Sequence, residues 1–352
     1  MASALRSDPR RPRGGAGELD RLLGDARRFS GEFPLFLANH LPMVLVAMQR
    51  LGGSDARLAE FFARYRDANG LVAAPPPVDR IARERWTATL GDRGRETDYR
   101  ALFEGEVARR GARATIAAHL PRLLPGLAAS ATHGLMRLAY GVLRDDDAEI
   151  AAALGYWSAT YLELGAATGA PPTTDDPAAV LVAMRPVETF RHVEVEIDLL
   201  WHFMRAIGVK AEFRGFVDRL AIGPETLARM RAASLGLYAG TMDFCALHAV
   251  TGCHWLRLIA PVNPAPELAQ RYFWQAIAAL YPKIGFPDLP SAEALDAWRR
   301  APCPDWPEIA AAAVASDDEH DLSLTFSARE EWALTGDRLY QVVAARRMRL
   351  TP

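Results

Sequence analysis

The chain has 352 residues, half of them hydrophobic and 24% charged, with a formal net charge of −2. That is enough chain to bury a sizeable core in one large domain or two modest ones, and so balanced a charge offers nothing to nucleic acid or an anionic membrane. Three cysteines, Cys245, Cys253 and Cys303, are too few for a disulfide framework and point to a reducing, cytoplasmic setting.

Residues 1–28 open with Arg6, Arg10, Arg11 and Arg13 among prolines and glycines and lack an apolar run, which predicts a disordered tail rather than a leader or anchor. Residues 29–352 read as one all-α domain, a single helical array without significant β-sheet. Asn39 caps a predicted helix through Leu41, Val44, Leu45 and Met48 that Gly52 ends, and Ser54 caps the next, which stops near Gly70. Pro75, Pro76 and Pro77 mark a loop. Further helices are predicted over 97–110, twice within 112–143 around Pro121 and Pro125, and from the Asp145–Asp147 cap to about Leu164. After a Pro/Thr/Asp loop at 169–176, helices are expected over 177–184, 187–207, 211–220, 224–237, 241–258, 267–281, 292–299, 306–316 and 328–348. The stretch Ala232–Leu256 is long and apolar, but its glycines, Asp243, His248 and His254 favour a buried central helix over a membrane span.

Several chemistries are missing from the sequence. No phosphate-binding loop occurs and no Gly-x-Gly-x-x-Gly follows a strand. His-Glu-x-x-His, Gly-x-Ser-x-Gly and the paired Glu-x-x-His of ferritin-like di-iron sites are also missing. What stands out instead is histidine. His40, His133, His248 and His254 lie in apolar helical surroundings, and His320 ends the acidic run Asp317-Asp318-Glu319, which by itself reads as a solvated loop. Burying several imidazoles is costly unless each finds a partner, and a shared divalent metal satisfies several at once. On an unbroken helix His248 and His254 point about 120° apart, so they meet at one site only if Thr251-Gly252 distorts the helix. Asp243 and His254 share a face, which lets Asp243 either orient His254 or cap the helix. A local zinc site from Cys245, His248, Cys253 and His254 is a rival, though its spacing matches no finger-like pattern.

The stretches Asn39-His40-Leu41-Pro42, His133-Gly134-Leu135-Met136-Arg137, Leu247-His248 through Cys253-His254, and Asp318-Glu319-His320 resemble the questin oxidase-like family, over roughly Phe29 to Met348. These are helical proteins that include fungal enzymes oxidising and opening anthraquinone rings in polyketide pathways. The resemblance implies an oxidoreductase acting with dioxygen on a small aromatic substrate. It implies either a non-haem iron held by histidines or a Baeyer–Villiger-type oxidation drawing on NADPH; the missing nucleotide motif favours the metal. The ligands so implied are His40, His133, His248, His254 and His320; by helical spacing Asp243, on the face of His254, and Tyr140, two turns from His133, are the catalytic candidates, and Trp157, Trp201 and Trp255 either wall a pocket or pack in the core. Arg137 and Ser323 depart from the family pattern, which has a histidine at the first position and a lysine at the second. The alternative is a metal-free helical protein that binds an apolar ligand or partner.

Overall fold

The computed structural model describes residues 17–351, so the first sixteen residues of the expected tail lie outside it. From Glu18 the chain is already ordered differently from that expectation: Glu18–Ala26 is a helix that buries Leu19, Leu22, Leu23 and Ala26. The described residues form sixteen α-helices and seven short 3-10 turns, joined only by isolated bridges rather than strands. None of these helices is long and apolar enough to cross a membrane. The large apolar side chains close into one continuous core.

Four helices make the centre. Leu41–Arg50 packs on His133–Arg144 and on Glu319–Thr335, and Phe244–Ile259 packs on the same two from the opposite side. The result is a four-sided array whose members come from widely separated parts of the chain. Outer helices thicken it: Asp147–Ala159 lies against both His133–Arg144 and Glu96–Arg110, and Thr226–Thr241 against Phe244–Ile259. Small residues allow these close approaches. A Cβ at Gly252 would lie 2.2 Å from Phe273, and one at Gly134 would lie 2.8 Å from Trp157.

The stretch Ala232–Leu256 is broken rather than continuous. Thr226–Thr241 ends at Met242, whose φ of 48° turns the chain, and Asp243 caps Phe244–Ile259. Predicted helix 187–207 is reduced to Leu200–Gly208. Its first half, His192-Val193-Glu194-Val195-Glu196-Ile197-Asp198, alternates with period two and carries β-branched residues, a pattern that resists helix. Segment 211–220 makes only two 3-10 turns about Gly215, which takes φ of 73°. The predicted terminal helix is divided at Gly336, φ 71°, into Glu319–Thr335 and Leu339–Arg347, so His320 starts a helix instead of ending a loop.

Candidate metal centre

Each of the four central helices brings one histidine to the same end of the array. His40 is the residue just before Leu41–Arg50, His133 is the first residue of its helix, His320 the second of Glu319–Thr335, and His248 stands in the second turn of Phe244–Ile259. Their rings form a closed quadrilateral: His40 to His133 4.4 Å between centroids, His133 to His248 5.5 Å, His248 to His320 5.6 Å, and His320 to His40 4.8 Å. Since all four lie near helix N-termini, the positive ends of four helix dipoles converge there.

The protonation of this ring follows from its hydrogen bonds. The Nδ1 atoms of His40, His133 and His248 face the carbonyl oxygens of Ala38 (3.0 Å), Ser130 (2.5 Å) and Phe244 (2.9 Å), and His320 Nδ1 faces Asp318 Oδ1 at 3.2 Å. Such oxygens only accept, so each Nδ1 carries the hydrogen, and in a neutral imidazole Nε2 then keeps its lone pair. Yet His40 Nε2 and His133 Nε2 are 2.8 Å apart. Two lone pairs at that distance repel unless a cation lies between or beside them. A proton is a poor solution. Burial, reinforced by the neighbouring imidazoles, drives His40 well below the ordinary histidine range, burial takes His133 to about 4, and His248 is also depressed. His40, His133 and His248 therefore offer a divalent metal neutral imidazoles, fixed in tautomer through Nδ1, with Nε2 free.

Strained backbone supports the ring. Ser130, Ala131 and Thr132, immediately before His133, all take positive φ (44°, 53° and 74°). Three consecutive non-glycine residues in that region are costly and persist only where packing over-determines them. Their effect is to turn the Ser130 carbonyl onto His133 Nδ1. Leu35 and Phe36, at φ of 67° and 68°, carry the same strain at the opening of the site.

The imidazoles floor a cavity of about 230 Å³. Its walls are apolar, with Phe36, Leu37, Leu199, Leu200, Trp201 and Phe244 prominent, and Lys283 and Asp198 stand among them. Phe244 packs edge-on against both His320 (4.6 Å) and His248 (5.0 Å). Phe36 is clasped by Trp201 at 4.9 Å and by the Arg93 guanidinium at 4.0 Å. Glu319 lies on the other side, with Oε1 3.9 Å from Nδ1 of both His40 and His320; burial raises its carboxyl above the ordinary range. With Asp318 and His320 it makes the one group of three potential ligand atoms lying within 4.8 Å of one another among the described residues. Asp318, however, is spent on the helix cap and on Arg347.

Four of the five predicted histidine ligands are thus brought together, and His254 is not. The helix runs unbroken through Gly252, so His254 points away from His248 and is completely buried against Glu331, Nδ1 to Oε1 3.0 Å. Arg257 (2.6 Å) and Arg231 (2.9 Å) complete that cluster. Asp243 does not orient His254; it accepts from the amides of Cys245 (2.7 Å) and Ala246 (3.4 Å) as the helix cap. Tyr140 is buried beside Phe326, 5.9 Å away, and about 10 Å along its helix from His133, so it is not a proton donor at the ring. Burial pushes its hydroxyl upward, partly offset by Ser323 and Ser327.

Trp201 walls the cavity, whereas Trp157 donates to the Gly126 carbonyl and packs on Gly134. Trp255 lies behind the ring, 6.3 Å from His133. The rival zinc set does not converge: Cys253 meets Ser234 and His254 meets Glu331. Arg137 is buried in an ion pair with Glu149 (2.7 Å), and Ser323 is buried on the Tyr140 side. Sequence reading overlooked Glu331, Lys283, Ser130 and the Leu35–Leu37 rim; only the apolar run at Leu35–Leu37 left a local signal.

The family described as Questin oxidase-like matches residues 37–325, a span that contains all four ring histidines. The chain is 32% identical over 130 residues to the Baeyer-Villiger oxidase AgnL3 of Paecilomyces divaricatus. That alignment covers 33% of this chain and 28% of the relative, so the chain spans less than a third of that protein's length.

Proposed function

The chain belongs to the questin oxidase-like family, and on that premise we propose that it is an oxidoreductase that uses dioxygen to oxidise a polyketide-like aromatic ketone or quinone at a histidine-held iron. The observation that carries the reading is the 2.8 Å approach of two unprotonated Nε2 atoms, His40 and His133, within a ring of four imidazoles. Family membership and the partial likeness to a Baeyer-Villiger oxidase support the oxidative chemistry. Free cysteines are compatible with a cytoplasmic setting.

In this reading His40, His133, His248 and His320 would hold the metal, and their Nδ1 hydrogen bonds would fix the tautomer that leaves each Nε2 for it. Iron, when bound, supplies the binding and reduction of dioxygen that closed-shell side chains cannot. The apolar wall of Phe36, Leu37, Trp201 and Phe244 takes a flat aromatic body and excludes water from the reacting edge. Convergent helix N-termini stabilise negative charge as it develops on oxygen at the floor.

Metal analysis of protein purified without chelator or histidine tag tests this, together with oxygen uptake over a hydroxyanthraquinone panel, with and without NADPH. Stoichiometric iron and substrate-dependent oxygen uptake are expected, both lost in His133→Ala and His248→Ala. Protein without a transition metal that still binds the quinones, with no oxygen consumed, would overturn the reading in favour of a metal-free binding protein.

A further inference from the structure

We propose that Lys283 is the group that selects the substrate: it recognises an acidic oxygen on the aromatic ligand, displacing Asp198 as it does so. The inference rests on the reading of the imidazole-floored cavity as the substrate site. The chain carries 41 basic residues, and only Lys210 and Lys283 are lysines. Lys283 follows Pro266–Leu280 and lines the cavity, the one lysine or arginine among the described residues to do so. Opposite it the walls are hydrocarbon and aromatic. The Lys283 ammonium is therefore within reach of a molecule bound in the cavity.

Its present partner is a weak one. Lys283 Nζ pairs with Asp198, whose side chain is 80% exposed while that of Lys283 is 21% exposed. An ion pair with a solvated carboxylate contributes little and exchanges readily. The lysine itself is kept in place from the other side, its Nζ lying over the Phe203 ring at 5.5 Å. A pre-positioned ammonium with a replaceable counter-ion, at the side of an apolar cavity, matches an aromatic bearing a carboxylate or an ionised phenol. The ring system enters the apolar part and the anionic oxygen takes the place of the Asp198 carboxylate. Asp198 belongs to the extended stretch before Leu200–Gly208, and its exposed side chain can swing into water.

Binding, rather than turnover, tests this. Quenching of tryptophan fluorescence is titrated with 2-naphthoate and with its neutral counterpart 2-naphthamide, on native protein and on protein treated with chelator. At pH 7 the acid is expected to bind about tenfold more tightly than the amide in both preparations. Lys283→Met abolishes the preference, Lys283→Arg keeps most of it, and Asp198→Asn binds the acid at least as tightly as the native chain. A second pair, a hydroxynaphthoquinone with an acidic hydroxyl and its methyl ether, separates ionised phenol from carboxylate; a lysine-dependent preference in either pair supports the proposal. Equal binding of acid and neutral probe in both pairs by the native protein overturns it. So does a preference that survives Lys283→Met but disappears with chelator, which assigns the acid to a metal. A loss in Asp198→Asn as large as in Lys283→Met also overturns it, because the pair would then be a structural clasp. Failure of the metal reading leaves these outcomes unchanged, so the two are distinguishable.

Discussion

Removing the carboxylate from the Glu331 cluster by Glu331→Gln has a magnitude that can be worked from the structure. Glu331 is completely buried, and burial alone raises a carboxyl; the His254 hydrogen bond and the charges of Arg257 and Arg231 outweigh it and bring the group to about 2, from an ordinary 4.5. At about 1.36 kcal/mol per unit, that difference corresponds to stability on the order of 3 kcal/mol at neutral pH, comparable to the cost of about 3–5 kcal/mol for breaking a buried ion pair. Because the folded value lies below the unfolded one, this stabilisation is complete above pH 4.5 and is lost as pH falls through about 2. Urea unfolding followed by far-ultraviolet circular dichroism should show Glu331→Gln less stable by about 3 kcal/mol at pH 7, with the gap narrowing to about 1 kcal/mol at pH 3. A gap below about 1 kcal/mol at pH 7, or one that does not shrink with acid, would refute the reasoning.

Three further outcomes follow from named contacts. Gly252→Ala places a Cβ 2.2 Å from Phe273, and overpacking of that kind should cost about 1–3 kcal/mol, read as a lower midpoint in thermal melts; an unchanged midpoint would show that Phe273 gives way freely. Ala131→Gly relieves a residue held at φ 53° and should leave stability unchanged or raise it by about 1 kcal/mol, whereas a clear loss in urea unfolding would argue against strain there. His254→Gln should retain metal and oxygen uptake while losing stability, since its partner is Glu331 and not the ring; loss of metal in a folded variant would return His254 to the ligand set.

Much of the fold can be read locally. Ser54, Asp146 and Ser291 cap the helices that their sequence positions suggest, and Gly52 and Gly70 end theirs at positive φ. The site is another matter. That His40, His133, His248 and His320 are apolar-flanked is visible in the sequence, but which of five histidines meet is decided by helix register. His254 fails because an unbroken helix carries it around to the far face. Its true partner, Glu331, lies 77 residues further along the chain, where no spacing rule reaches. His320 was disguised by the acidic run before it, which is a helix cap and not a solvated loop. The alternation from His192 to Asp198 was legible and was overlooked in favour of helix. The positive-φ run Ser130–Thr132 has no sequence signature at all, since none of the three residues is glycine.

The four-sided ring also bears on how the molecule is made. His40 stands near the beginning of the chain and His320 near its end, and the helices carrying them touch each other only in the finished array. No partial chain lacking the last quarter contains the complete donor set. The centre is thus an association of segments far apart in the chain, and closing loops of that length carries an entropic cost that the surrounding core must offset. An ion seated there would join four separate stretches of backbone at one point and would have to be released before any of those helices could peel away. The ring would then act as a fastener, making resistance to unfolding depend on occupancy.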